Sequence, residues 1–141
     1  MSEERVEFVR HGYDVFNRLG VDGLVEELWA ADIVIDSTTS DLPGAGVYRG
    51  LDEVRDYFAT SFSVWEHWEI EPTKILEAGD RVLLFAIFRG RGAASGVEVE
   101  MALTQLLTLR DEKVVRIENY TDREKALEAA GLSESDFQER A

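Results

Sequence analysis

Four consecutive strand-like segments fill the second half of the chain and most constrain its fold. They span residues 64–76, 81–92, 97–109 and 114–121. The gaps between them are short and rich in glycine or charge, which is typical of turns that join neighbouring antiparallel strands. The segments are long against the usual strand of about 5–6 residues, and long strands in one small sheet must twist and coil strongly. The sequence therefore predicts a strongly curved, mostly antiparallel sheet.

The residues before these strands are mainly helical by their periodicity. Apolar residues recur at three- and four-residue spacing over 6–16, and Gly20 ends the stripe. Asp22 is a candidate cap for a second, short helix, and a third begins at Gly50. A β-branched segment at 32–36 interrupts the helices as a strand. This order of helices and strands predicts an α+β domain.

The end of the chain carries one further helix and an acidic tail. Thr121 and Glu124 form a capping box, and Gly131 stops the helix that follows. We expect a single domain over residues 1–132 and a tail over 133–141 that is frayed or loosely docked.

Composition excludes several classes of function. The formal net charge of −14 disfavours nucleic acid and anionic membrane surfaces as partners. The absence of cysteine removes disulfides, thiolate nucleophiles and every cysteine-bearing zinc site, and two histidines are too few for a three-histidine zinc site. The N-terminus is acidic and polar, and the longest apolar run, 82–88, is too short to cross a bilayer. We expect a soluble, cytoplasmic protein with no metal and no cofactor.

Short motifs recur along the chain in a recognisable order. They are Val21-Asp22-Gly23-Leu24, Asp36 at the end of the first strand, Tyr48-Arg49-Gly50, Ala78-Gly79-Asp80-Arg81-Val82, and Lys113-Val114-Val115-Arg116-Ile117 followed by Tyr120 and Asp122. Over residues 5–131 the chain resembles the nuclear-transport-factor-2-like superfamily, in its SnoaL-like and ketosteroid-isomerase-like branch. The resemblance implies a cone-shaped fold, in which the curved sheet wraps on three helices around an internal pocket. That fold hosts isomerases, cyclases, epoxide hydrolases, dehydratases and non-catalytic binders.

Strand alternation predicts which side chains face that pocket. On the hairpins of the resembling fold, the concave face takes the odd-numbered residues of the last three strands. A slip of one residue would exchange the two faces. With residues from the first helix and the first long strand, the predicted pocket residues are Tyr13, Trp65, His67, Phe85, Ile87, Arg91, Met101, Leu103 and Ile117.

Asp36 is the sharpest candidate for catalysis. It ends an apolar strand, where many ketosteroid isomerase relatives carry their general-base aspartate. Partial desolvation of a carboxylate at the mouth of an apolar cavity would raise its pKa toward values useful for proton transfer. The alternative is a strand-end aspartate that accepts hydrogen bonds from the amides of the following loop as an Asx turn.

Three further residues complete the predicted catalytic set. The resemblance places Gln105 near the protonated aspartic acid of the isomerases, so its amide would donate to a developing enolate, with a buried amide satisfied by backbone as the alternative. Asn119 falls near the acidic residue on the last strand of the cyclases, and as an amide it would orient substrate or water. Arg89 would stabilise oxyanion charge, whereas the alternative for Arg89 and Arg91 is pairing at the rim with Asp36, Glu98 or Glu100.

Aromatic and histidine side chains supply the remaining candidates. Tyr13 lies one position from Gly12, where the helix tyrosine of the isomerases aligns. Trp65 would wall the pocket. His67 is the only histidine near the predicted cavity, where it would act as acid or base with Asp36; the alternative is a surface histidine on an edge strand.

These inferences lead to two hypotheses of different class. The first is a cofactor-independent isomerase, hydrolase or cyclase that moves a proton on a small apolar or polycyclic molecule, with lyase chemistry less favoured. The second is a non-catalytic ligand-binding or dimerisation module of the same fold. In either case we expect a homodimer formed through the sheet.

Overall fold

The computed structural model describes residues 2–20, 22–24, 28–38 and 45–139. The helices are α1 (Ser2–Leu19), α2 (Gly50–Phe62), α3 (Arg123–Ala129) and α4 (Glu134–Glu139). The strands are β1 (Trp29–Asp36), β2 (Val47–Arg49), β3 (Trp65–Ala78), β4 (Arg81–Gly92), β5 (Glu98–Arg110) and β6 (Lys113–Tyr120). Residues 22–24 are helical, as predicted for the second helix, whose remaining positions up to 27 lie outside the described residues.

All six strands form one curved, unclosed sheet in the order β2-β1-β6-β5-β4-β3. Neighbouring strands are antiparallel except for β1 and β6, which run parallel. The predicted α+β cone fold is therefore confirmed. In α1, Asn17 bonds both backbone groups of Ile70 on the edge strand β3, at 2.8 and 2.9 Å, and so fixes the helix against the sheet.

Both faces of the sheet carry buried apolar side chains, and different helices cover the two faces. The inner face, which packs on α1 and α2, carries the larger cluster, including Ile35, Val82, Leu84, Phe88 and Leu107. The outer face carries a smaller cluster that α3 and α4 cover. Its members are Leu76, Leu83, Phe85, Leu106, Tyr120, Ala126, Leu127 and Ala130, with Phe137 packed against them.

The acidic C-terminal segment is docked where the sequence predicts a frayed or loosely docked tail. Phe137 of α4 packs edge-on against Phe85, with ring centroids 4.7 Å apart. The Lys74 ammonium lies 3.9 Å from the centre of the Phe137 ring and the Arg123 guanidinium 4.4 Å from it. One aromatic anchor and two cations thus hold a segment whose composition alone favours solvent. The cap of α3 is Asp122, one residue after the predicted Thr121, because the Asp122 carboxylate accepts from Glu124 N and Lys125 N.

The face assignment predicted for β4 is wrong by one residue. Leu84 lies opposite Gln105 and Phe88 opposite Met101, so the even-numbered residues of β4 face inward. The odd-numbered set predicted to line the pocket, namely Phe85, Ile87, Arg89 and Arg91, lies on the outer face. The physical reason is that residues 82–86 are all buried, since helices cover both faces there, so no polar alternation marks the register.

Candidate functional site

An open cleft of about 740 Å³ separates α2 from the inner face of β3, β4 and β5. Trp65, Met101 and Leu103 stand on its wall, where the sequence predicts pocket residues. A smaller cavity of about 50 Å³ lies deeper, between α1 and the sheet, and is lined by Tyr13 and Ile117 of the predicted set. Phe58, Ile70 and Gln105 line both spaces, which are therefore adjacent.

Aromatic rings line both spaces and pack against one another to form an apolar wall. Phe16 of α1 lies 4.7 Å from Trp68 and 5.6 Å from Phe58, measured between ring centroids. At the other end of the wall, Trp65 packs on Phe88 at 5.2 Å. A methyl group built on Gly90 would come within 2.8 Å of the Trp65 ring, so the absence of a side chain there lets the indole lie close to the strand. Such a wall suits a flat, apolar molecule.

A chain of buried and partly buried hydrogen bonds joins the floor of the cleft to its edge. The Gln105 amide donates to Asn119 Oδ1 at 2.7 Å, and the Asn119 amide donates to Ser37 Oγ at 2.8 Å. Ser37 Oγ and Tyr57 Oη are 2.9 Å apart. We call Gln105, Asn119, Ser37 and Tyr57 the polar relay. Strand pairing builds its first link, because Gln105 and Asn119 lie directly opposite each other on β5 and β6.

The relay leaves one polar atom without a partner. The side-chain oxygen Oε1 of Gln105 is buried and makes no hydrogen bond within the described part of the chain. The sequence predicts Gln105 as a hydrogen-bond donor toward an oxyanion, whereas one of its N–H groups is bound to Asn119 and the orphaned atom is an acceptor. Ser37 and Tyr57 were not predicted as site residues; the signal for Ser37 is its place one residue beyond Asp36 on the opposite side of the strand.

Tyr13 projects from α1 into the deeper cavity. Burial raises the pKa of its phenol well above the ordinary value, because the anion would lose its hydration. The hydroxyl therefore stays protonated across the physiological range. It is a neutral group that is able to donate a hydrogen bond.

Asp36 faces away from the cleft, so its predicted role as a general base in the cavity is corrected. Its neighbour Ile35 occupies the inner face, whereas the Asp36 carboxylate bonds Arg116 Nη2 at 3.0 Å on the other face. Thr38 N donates to Asp36 Oδ1 at 2.9 Å, and the Thr38 hydroxyl donates to the same oxygen. The Asx-turn alternative is confirmed. Partial burial alone would raise the pKa of Asp36, but the Thr38 hydrogen bonds and the Arg116 charge outweigh it and hold the pKa below its ordinary value.

Replacing Asp36 with asparagine is expected to lower the free energy of unfolding by about 1 kcal/mol at neutral pH, since a charge-assisted pair is lost. A carboxylate whose pKa is lower in the folded state stabilises the protein above its unfolded pKa of about 3.9, and that contribution disappears as the pH falls through the folded value. Urea unfolding of Asp36→Asn and wild type should therefore differ at pH 7, and the difference should shrink as the pH falls below the unfolded pKa of about 3.9. Loss of ligand binding in Asp36→Asn without loss of stability would contradict this assignment.

Arg89, Arg91 and His67 all lie outside the cleft. Arg89 pairs with Glu71 at 2.7 Å and with Glu100 at 2.9 Å, so the predicted ion-pair alternative is confirmed for Glu100. Arg91 lies 3.7 Å from Glu66, and His67 is exposed. The three line a shallow groove on the outer surface and do not meet the polar relay.

The carboxylates that do reach the cleft come from α2 and were missed by the sequence prediction. Glu53 and Asp56 stand on its wall, and they are the only acidic groups among the described residues that line either space. Glu53 is also engaged at the start of the helix, where its Oε1 accepts from Arg49 N at 3.0 Å. Helical spacing places both on one side of α2, but nothing in the sequence says that this side borders a cleft.

The described residues contain no cluster of three or more metal-binding side chains. Among the same residues, no helix combines the length and the apolar content needed to cross a membrane.

Comparison with known proteins places this geometry in a family context. The family model of the SnoaL-like domain matches residues 9–117. No curated protein sequence matches the chain. A protein of ketosteroid isomerase-like fold from Catenulispora acidiphila, solved with trimethylamine, is 20% identical with a TM-score of 0.70, covering 90% of this chain and 94% of its own.

Two further solved structures are similar over most of their length. TerC, co-crystallised with polyporic acid, is 20% identical with a TM-score of 0.70, and the match covers 89% of this chain and 97% of TerC. A proposed SnoaL-like polyketide cyclase from Jannaschia is 20% identical with a TM-score of 0.69, covering 89% of each chain. At this level of identity the likeness establishes the fold.

Proposed function

The chain belongs to the SnoaL-like domain family, and on that premise we propose that it binds a small, largely apolar molecule in the cleft beneath α2. The carrying observation is the cleft itself: its volume of about 740 Å³ falls among ligand sites of roughly 300–1,000 Å³. Its wall is mainly aromatic and aliphatic, with the amides of Gln105 and Asn119 on the sheet side and further polar groups on α2. An apolar enclosure with a small number of placed polar groups is what small-molecule sites share.

The comparisons add support of a general kind. TerC and the Catenulispora acidiphila protein have this fold and were solved with polyporic acid and trimethylamine, respectively. The identity of about one residue in five does not carry either ligand over to this chain.

A matched pair of tryptophan substitutions tests the proposed site. Met101 lines the cleft, whereas its neighbour Ala102 is exposed on the outer face of the same strand. Met101→Trp should fill the cleft and weaken binding of an apolar probe, 2-methoxynaphthalene, by about tenfold or more, since a filled cleft loses the apolar area the probe would bury. Ala102→Trp should leave the affinity unchanged. The measurement is a chemical-shift titration by NMR.

Equal affinities for the two variants, with both proteins folded, would show that the probe binds elsewhere. Absence of binding to the wild-type protein would contradict the proposed function directly.

Proton-transfer catalysis of the isomerase, hydrolase or cyclase type is the second candidate. One observation favours it: the Tyr13 hydroxyl in the deeper cavity stays protonated and is suited to stabilise a developing oxyanion. The base would have to come from the cleft carboxylates Glu53 or Asp56, since Asp36 faces the other side of the sheet. The Asp36→Asn variant would therefore retain full turnover.

Pairing of two copies through the sheet stays a prediction.

A further inference from the structure

We propose that the ligand of this cleft carries a neutral hydrogen-bond donor, a hydroxyl or N–H group on a flat apolar framework, which bonds the side-chain oxygen of Gln105. The inference rests on the proposed function and names the chemical class of its ligand. It starts from Gln105, the one polar residue that lines both the cleft and the deeper cavity in the described part of the chain, and from its buried side-chain oxygen.

The unpartnered oxygen of Gln105 lowers the stability of the folded protein when no ligand is bound. Gln105 is 7% exposed, and its Oε1 has no partner among the described residues. A buried acceptor that lacks a hydrogen bond has lost its water without compensation, and this destabilises the folded state. A ligand that donates to this oxygen supplies the missing hydrogen bond. It therefore gains more binding free energy than it would from an acceptor that already has a hydrogen bond.

The polar relay holds this oxygen in place. Rotation of the Gln105 amide would break the bond from Nε2 to Asn119 Oδ1, at 2.7 Å. Asn119 is itself held by its bond to Ser37, at 2.8 Å, and Ser37 is fully buried. Hydrogen bonds in such a chain polarise one another, so the acceptor at its end is both oriented and strengthened. The site is therefore preorganised for a donor.

Charge on the wall restricts the ligand further. The carboxylates Glu53 and Asp56 line the cleft, and no lysine, arginine or histidine is among the described residues that line it. An anionic ligand would meet only like charge there, which disfavours carboxylates and phosphates. The rings of Trp65, Phe88 and Phe58 offer faces and edges to a planar molecule. A neutral phenol, enol or ring N–H compound satisfies all three features.

Two probes of nearly equal shape isolate the donor. We expect 2-naphthol, which has a hydroxyl donor, to bind the wild-type protein about tenfold more tightly than 2-methoxynaphthalene, which has none. In Gln105→Met the acceptor is replaced by a thioether of similar length, and the preference should fall to less than about twofold while 2-methoxynaphthalene still binds. Affinities are measured by NMR titration, together with thermal unfolding of each variant.

The neighbouring substitution Thr104→Val serves as the matched control. Thr104 is equally buried, but strand alternation puts it on the outer face, so its variant should keep the tenfold preference. Equal affinity of the two probes for the wild-type protein would overturn the inference and leave the proposed function standing. That comparison needs no variant, so it decides the matter even if Gln105→Met does not fold. Failure of both probes to bind the wild-type protein would overturn the proposed function and this inference with it.

Discussion

Replacing Phe16 with alanine is expected to lower the free energy of unfolding by about 3–5 kcal/mol, the cost typical of emptying a buried aromatic site. Phe16 is 3% exposed and lies within 6 Å, between ring centroids, of Phe58, Phe62 and Trp68. It is the ring through which α1 contacts both α2 and the edge strand β3. The void would open beside the deeper cavity, which Phe16 lines. Urea and thermal unfolding measure the effect.

The same helix supplies the control for this prediction. Leu19 is 62% exposed, so Leu19→Ala should change stability by less than about 0.5 kcal/mol. A loss below about 1 kcal/mol for Phe16→Ala would mean that α1 does not pack against the sheet in this way, since removal of a buried phenylalanine ring typically costs about 3–5 kcal/mol.

Replacing Asn119 with leucine is expected to destabilise the protein by about 2–4 kcal/mol. The side chain is 4% exposed and joins Gln105 to Ser37, so its loss leaves two buried polar partners each short of a bond. Each such group costs about 1–3 kcal/mol, whereas the gain from the added apolar surface is partial at the edge of a cleft. Chemical unfolding at neutral pH provides the value.

A double-mutant cycle shows whether the loss comes from the relay. With Gln105 already changed to methionine, the donor that Asn119 served is absent, and Asn119→Leu should then cost about 1 kcal/mol less than it does in the wild-type background. Strictly additive changes would contradict a direct bond between the two side chains.

The fold was predictable because its signals are local and agree with one another. The helical stripe over 6–16, the stop at Gly20 and the four long strands each correspond to an observed element. β4 was predicted with the bounds that it has. Turn residues and the hydrophobic period determine the local conformation of the chain. They can therefore be interpreted without knowledge of the tertiary structure.

The inward face of β4 was not predictable by the same means. Alternation identifies a face only when the other face meets water, and here α3 and α4 cover the outer side of residues 83 and 85. The α4 part of that cover depends on Phe137, a single aromatic residue in an acidic segment that the sequence pattern predicts to be a tail.

Two of the four residues of the polar relay were predicted from the sequence as site residues. Gln105 and Asn119 were both expected near the site, but counting back from the turn at 111–112 with regular pairing would set Gln105 opposite Glu118. An irregularity between Thr108 and Leu109 shifts the pairing by one residue and brings Asn119 opposite. Asp36 and Ser37 illustrate the same sensitivity, because consecutive residues at the end of a strand point to opposite sides.

Among the described elements, helices cover β4 and β5 on both faces at one end of these strands only. Helices lie against both faces near Leu83 and Leu106, whereas residues 93–100 at the far end are exposed. Met101 and Phe88 lie nearer the exposed end of the two strands, and Gln105 lies nearer the end that the helices cover. We therefore expect the wall of the cleft to be more compliant at Met101 and Phe88 than at Gln105, where its hydrogen-bonding group lies.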